Sequence, residues 1–221
     1  MSVIADPNAA TGILSVWNEY PADDADFYER WYMREHFPER LGVPGFLRGR
    51  RYRAIDADRT YFTFYDLSHP DVLFSAPYLA RLNDPTAWTR RIMTRWSSMF
   101  RTVCRRLARS GAAIGGFAAV ARFEDDVAIS RGEAAELHER LADPEVVAVD
   151  VWLATAEQNT ATREAEARPE ADRYIRAAIV IEATSEAAAR RARERLVDLL
   201  GPDRRPSTVG IYGLIAVQLG G

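Results

Sequence analysis

The chain repeats itself faintly, and that constrains its fold more than any other feature. An offset of 100 residues aligns Leu14 with Ile114, Trp17 with Phe117, Arg40-Leu41 with Arg140-Leu141, Pro44 with Pro144 and Tyr52 with Trp152. Each match is weak, but all fall in one order: strand, helix, proline, strand. Self-similarity at a fixed spacing is the signature of one structural unit used twice. The glycine-rich stretch "RSGAAIGG", residues 109–116, separates the copies. It predicts a first unit over residues 1–110 and a second over 111–221.

Local patterns fill in both units. "GILSVWNEY" reads as a strand and residues 24–37 as a helix. "FLRGRRYRA" and "RTYFTFYDL" are aromatic-rich strands joined by a turn at Asp56-Ala57-Asp58. Residues 68–99 read as a broken helix. Pro77 interrupts it, and Asp84-Pro85 suits an N-cap followed by proline at the first helical position. Trp88, Ile92, Trp96 and Met99 are then spaced for one helix face. "FRTVCRRLA" suits a strand, with helix continuation as the rival reading.

In the second unit, "GFAAVARFE" is a strand and Ala134, Leu137, His138 and Leu141 mark a helix stripe. "VVAVDVWLA" is the next strand. "EQNTATREAEARPEAD" has no apolar periodicity and reads as a mobile hairpin loop. A strand in "RYIRAAIVIEA", a helix from Ser185 to Leu200 stopped by Gly201-Pro202, and a strand in "VGIYGLIAV" complete it. Each half is therefore β-α-β-β-α-β, the ferredoxin-like order, an α+β arrangement. One face of each four-stranded sheet takes the helices and the other needs a cover. Two halves packed sheet to sheet, as an α+β barrel, bury both faces.

Composition narrows the chemistry. The net charge of -3 argues against a surface that tracks nucleic-acid phosphates, and no apolar run is long enough to span a membrane. The N-terminus shows no secretion signal, and Cys104 is the only cysteine, so no internal disulfide forms. A reducing, cytoplasmic setting is the expectation. All 29 basic residues are arginine, which rules out Schiff-base lysine chemistry. No zinc-ligand spacing, G-x-S-x-G elbow or phosphate-binding glycine loop is present. No metal or cofactor is expected, although haem ligation by His36 or His138 is left open.

Trp31-Tyr32-x-x-x-His36-x-Pro38 and Val43-Pro44-Gly45-Phe46, together with the element order, resemble the dimeric α+β barrel superfamily, and within it the EthD-like branch. The motif covers residues 27–52; the fold order covers nearly the whole chain. The resemblance implies a small-molecule pocket between the helices and the sheet of one unit. It implies activities such as those of cofactor-free monooxygenases, cyclases, lactone isomerases and dehydratases; other members are haem peroxidases or stress-response proteins. This chain departs from the usual pattern in fusing two units, and its second half places Glu136 where the first has His36. A homodimer is compatible with the family.

The candidate site follows from the first helix. Tyr28, Tyr32 and His36 recur every four residues along one edge of its apolar stripe, with Glu35 inside the stripe. Pro38 disfavours helical geometry at Phe37, so the helix is expected to stop near His36. Two readings of His36 follow. As a helix-end cap it would bond the last carbonyls and sit at the negative dipole end, favouring protonation. As an acid/base it would face a pocket, oriented by Tyr32 or Glu35. Arg50, Tyr52, Tyr61 and Tyr65 on the neighbouring strands, with Tyr28 and Trp88, would hold an aromatic or carboxylated ligand; ordinary cross-strand packing explains them equally well. The largest cavity is expected in this first half. The functional expectation is a cofactor-independent lyase, cyclase, isomerase or monooxygenase on an aromatic or polyketide-like molecule. The alternative is a non-catalytic binding or assembly protein with the same pocket.

Overall fold

The computed structural model describes residues 9–158 and 161–221. Eight strands form one closed antiparallel barrel: β1 (Gly12–Glu19), β2 (Phe46–Asp56), β3 (Tyr61–Leu67), β4 (Ser97–Ser110), β5 (Phe117–Phe123), β6 (Val146–Ala154), β7 (Ala177–Ala183) and β8 (Thr208–Leu219). Around the barrel they run β1-β3-β2-β8-β5-β7-β6-β4. Within the first four strands the order is β4-β1-β3-β2, and the last four repeat it as β8-β5-β7-β6. The expected pair of separate facing sheets is corrected here. The halves are hydrogen-bonded to each other at both edges, β2 to β8 and β4 to β6, because closure leaves no unpaired strand edge.

Trp17, Tyr52, Phe62, Phe64, Trp152 and Tyr212 fill the interior. Beside them lies a charged layer. Arg50 donates to Asp66 at 2.9 Å and to Glu182 at 2.7 Å, Arg48 donates to Asp66 at 2.7 Å, and Arg109 donates to Asp150 at 3.0 Å and to Glu182 at 3.3 Å. Arg106 bridges Asp66 and Asp150. Burial by itself raises the pKa of Asp66, but Arg50, Arg106 and Arg48 outweigh it and hold the carboxyl at about 2. Charges buried this deeply persist because each acid has at least two arginine partners, all from the first half, while Asp150 and Glu182 come from the second.

The outside carries the helices: α1 (Ala25–Trp31), α2 (Phe37–Leu41), α3 (Ala76–Asn83), α4 (Ala87–Met93), α5 (Arg131–Leu141), α6 (Arg163–Glu166) and α7 (Glu186–Leu200). Residues 32–36 form a π-helical turn that joins α1 to α2 without a break. The expected stop near His36 is therefore wrong. The Phe37 N–H bonds the Tyr32 carbonyl five residues back, and Pro38, which has no N–H, falls in the first turn of α2. The wider turn accommodates the proline that would otherwise end the helix. Gly49 then seats α2: a Cβ there would lie 2.3 Å from the Phe37 ring.

Other boundaries moved as well. Ser75 and Thr86 are the N-caps of α3 and α4, each accepting from the backbone N–H three residues on, and Asp84 closes α3 instead of starting a helix. The stripe from Trp88 to Met99 is not one helix face, since α4 ends at Met93 and Met99 is already on β4. "FRTVCRRLA" is strand. In the expected hairpin loop, Asn159 and Thr160 lie outside the described residues, as do residues 1–8. The rest of that loop packs: Gln158 bonds both the N–H and the carbonyl of Val103, and Thr162 and Glu164 are buried. Thr162 caps α6, which lies against α3 and α4 of the first half. Among the described residues, no helix is long and apolar enough to cross a membrane, and no group of three His, Cys, Asp or Glu is placed to hold a metal.

Candidate functional site

The cavity of interest lies between the helical cover and strands β1, β3 and β4. Its volume is about 50 Å³, room for roughly three to five waters. Its polar lining is Tyr32, His36, Arg40, Tyr65, Tyr78 and Arg101, with Gln158, Thr162, Glu164, Arg168 and Asp172 from the segment after β6. Leu14, Val16, Leu73, Leu79, Trp96 and Val103 supply much of the apolar wall. It is not the largest space by volume. A groove of about 570 Å³ near Thr11, Arg105 and Arg109 exceeds it, lined mostly by first-half residues but away from the first helix and the tyrosine-bearing strands where the sequence reading put it, and another of about 430 Å³ lies near Asp125 and Arg205; both are more open to solvent.

His36 is buried, with its ring 4.4 Å from Trp31, 5.0 Å from Tyr32 and 5.7 Å from Trp96, centre to centre. Its Nδ1 has no hydrogen-bond partner among the described residues, and the nearest carboxylate oxygen, on Glu164, is 4.0 Å away. It therefore caps no carbonyl. Nor does it favour protonation: burial first, then the charges of Arg40 and Arg51, push its pKa well below 6.5. The helix-end reading fails because the π turn carries the helix past this residue.

Arg40 sits one turn on and donates to Glu164 at 2.7 Å, both side chains being buried. The guanidinium also lies 5.6 Å from the Tyr78 ring centre. Tyr78 in turn accepts from Arg101 at 3.0 Å. His36, Glu164, Arg40, Tyr78 and Arg101 thus form a continuous polar wall. Opposite in character are Tyr32 and Tyr65, whose hydroxyls are 3.4 Å apart. Burial raises the pKa of both, so they remain neutral donors.

Of the residues singled out from sequence, Tyr32, His36 and Tyr65 meet in this cavity. The other six lie elsewhere. Glu35 faces α4, accepting from Thr86 at 2.5 Å and Thr89 at 2.8 Å. Thr89 in turn accepts from the Trp31 indole at 3.0 Å, so Glu35 steadies the ring that stacks on His36. Tyr28 is bonded to Asn18 and stacked on Tyr20, and Tyr61 lies under Arg51 and Arg53. Trp88 packs on Phe27. Arg50 and Tyr52 point into the barrel, where Tyr52 donates to Glu182 at 2.9 Å. The cause is a β-bulge in β2 between Phe46 and Arg48. It puts Phe46 on the helix side but turns Arg48, Arg50 and Tyr52 inward, which strict alternation does not foresee.

Sequence reasoning missed Arg40, Arg101 and Glu164. Arg40 was signalled by its four-residue spacing from His36, once the helix is allowed past Pro38. Thr162 followed by Glu164 and Glu166 was the signal for a capped helical turn in the polar segment. Nothing local marks Arg101. Haem does not fit this arrangement. The cavity is far too small for a macrocycle, and the His138 ring is engaged through Nε2 with the Val146 carbonyl at 3.0 Å.

No family model matches the chain, and no curated protein matches its sequence. Solved structures do resemble it. An anthrone oxidase-like protein matches with a TM-score of 0.60 at 9% identity, over 99% of this chain and 96% of its own. A candidate monooxygenase of Fusobacterium nucleatum matches with a TM-score of 0.58 at 10% identity, over 96% of both chains. A candidate chlorite dismutase matches with a TM-score of 0.53 at 12% identity, over 94% of this chain and 96% of its own. At such identities the likeness is one of fold, and the closed eight-stranded barrel described above is the fold that this chain shares with them.

Proposed function

We propose that the chain is a cofactor-independent enzyme that moves a proton on an aromatic or polyketide-like small molecule, with His36 as acid/base. On this reading residues 1–110 and 111–221 are two ferredoxin-like repeats, the first working and the second structural. The repeated strand order supports the duplication. The neighbours described as anthrone oxidase-like and as a monooxygenase support small-molecule chemistry on this fold.

One observation carries the catalytic role. A neutral, buried imidazole lines a cavity, with Nδ1 left without a hydrogen bond and a carboxylate 4.0 Å away. The charge of Glu164, 4.0 Å away, favours the tautomer with its proton on Nδ1, and the other ring nitrogen, Nε2, accepts a proton from an acidic C–H or O–H of the ligand. The imidazolium that forms faces Glu164, and the hydroxyls of Tyr32 and Tyr65 donate to the enolate or phenolate oxygen left behind. Returning the proton to a different atom completes an isomerisation. Loss of a leaving group or ring closure from the same anion would give a lyase or cyclase.

The test is deuterium exchange into single-ring 1,3-dihydroxyaromatics, followed by NMR. The wild type should accelerate exchange at the ring carbons, and His36→Gln should slow it by about a hundredfold or more, as loss of positioned proton transfer does. Acceleration that survives the substitution would remove His36 from the mechanism. Binding without any acceleration would favour the non-catalytic binding protein.

A further inference from the structure

We propose that the ligand is a single-ring aromatic carrying one carboxylate, and that Arg101 is the residue that recognises that carboxylate. This rests on the cavity beside His36 being the ligand site, and it narrows the class of molecule the site accepts.

The argument starts from charge. Five charged side chains line the cavity, besides the neutral His36: Arg40, Arg101, Arg168, Glu164 and Asp172. Arg40 is paired with Glu164, and Arg168 with Asp172 at 2.8 Å. That leaves Arg101. Among the described residues no carboxylate comes within 4.0 Å of it; Asp172 and Glu164 act on it only from farther away. Its guanidinium makes one side-chain hydrogen bond, to the neutral hydroxyl of Tyr78. A guanidinium has five N–H donors in a planar fork that matches a carboxylate with two parallel bonds. Here most of that fork is uncommitted, and the side chain borders the cavity beside His36. A partly buried cation without a counter-charge is costly, and an incoming carboxylate relieves that cost while filling the fork.

Position and size complete the case. Arg101 lies on β4 between Met99 and Val103, both in the cavity wall, and its own main chain is pinned to the Arg173 carbonyl at 3.0 Å. The fork therefore projects from a strand, not from a free loop. Tyr78 stands between Arg101 and Arg40, so the unpaired cation and His36 belong to opposite ends of one polar wall. A carboxylate on Arg101 would leave the ring against Leu14, Val16 and Trp96 and turn its far side toward His36. The space, about 50 Å³, is smaller than the roughly 150 Å³ that a benzene-sized ring fills, so a single ring enters only as the helical cover gives, and nothing larger is accommodated. The same wall selects against a second ring and against dianions, since every other cation in it is already paired.

Calorimetry with 2,4-dihydroxybenzoate and its neutral isostere 2,4-dihydroxybenzamide tests this. The wild type should bind the carboxylate at least about tenfold more tightly than the amide, by the strength of a charge-assisted pair. Arg101→Gln should abolish that preference, Arg101→Lys should restore part of it, and His36→Gln should keep it. Equal affinity of the wild type for both ligands would overturn the proposal without any variant being needed, and would leave the His36 reading standing. A preference that survives Arg101→Gln would assign the carboxylate to another residue and overturn it as well. Failure of the wild type to bind either ring would overturn both the proposal and the site on which it rests.

Discussion

The two halves of this barrel share one strand order yet cover their outer faces in opposite ways. In the second half, α7 presses Ala188, Ala189, Ala192 and Leu196 onto the sheet, and α5 adds Ala134, Leu137 and Leu141. Small side chains let a helix approach closely and leave little between it and the strands. In the first half, Tyr28, Trp31, Tyr32 and Phe37 stand where the second has alanine and leucine, and the helix includes a π turn. Large rings hold the cover away from the sheet. The cavity beneath is closed by α3 together with a segment borrowed from the other half, whose Glu164 reaches Arg40 beside His36. The difference points to where function is best sought in this barrel. The second half is covered by small side chains, and the cavity with unpartnered polar groups lies under the aromatic cover of the first.

The largest effect should come from breaking the borrowed contact. Glu164→Ala leaves buried Arg40 with only the more distant Glu39 carboxylate, 3.9 Å away, and should lower stability by about 3 kcal/mol in denaturant unfolding. The second half's Arg191, itself half exposed, offers the contrast in its pair with the exposed Glu145 and the largely covered Asp143. Arg191→Ala should produce no measurable change, because exposed ion pairs are screened by solvent. If the two substitutions have equal effects, the segment carrying Glu164 is not held as described.

Packing gives the next effect. Ala192→Leu forces extra volume beneath α7, where nothing can give, and should cost about 1–3 kcal/mol. Leu79→Phe enlarges a wall of the first-half cavity and should be tolerated at under about 1 kcal/mol, while weakening ligand binding. Reversed costs in melting experiments would show that the halves are packed the other way round.

The smallest effect is one of pH. His36 is held neutral in the fold, whereas in the unfolded chain it takes up a proton below about 6.5. Its contribution is therefore complete above 6.5 and falls away as the pH drops below that value. Wild-type stability should decline by about 1 kcal/mol more than that of His36→Gln between pH 7 and pH 5.5. Parallel pH profiles for the two proteins would mean that the His36 environment is not as dry and cationic as the structure describes. The depressed carboxyl of Asp66 acts in a different window: its contribution is complete above 3.8 and is lost as pH falls toward about 2.

Much of this architecture was legible from patterns of short range. The eight strands, the helix beginning at Ser185, its stop at Gly201 and the repeated order all follow from alternation and breakers, which local backbone physics controls. The site was half legible. Tyr32, His36 and Tyr65 came from helix spacing and strand alternation, and they do share a cavity. Arg50 and Tyr52 were misplaced by one bulged residue, since a single extra residue exchanges the faces of everything after it. Glu35 lies on the right helix but faces α4. Glu164 was hidden for a different reason. Its segment is polar and aperiodic, so its burial is decided by a partner more than a hundred residues away in sequence, Arg40, and by no feature of its own neighbourhood.

The central claim is that His36 is a neutral imidazole open to a ligand, and its own titration tests that most directly. Nitrogen-15 NMR of the ring, assigned with His36→Gln, should show a neutral imidazole well below pH 6.5, and its resonances should move when 2,4-dihydroxybenzoate is added. A ring that titrates at or above 6.5, or that ignores a ligand the protein binds, would contradict the account.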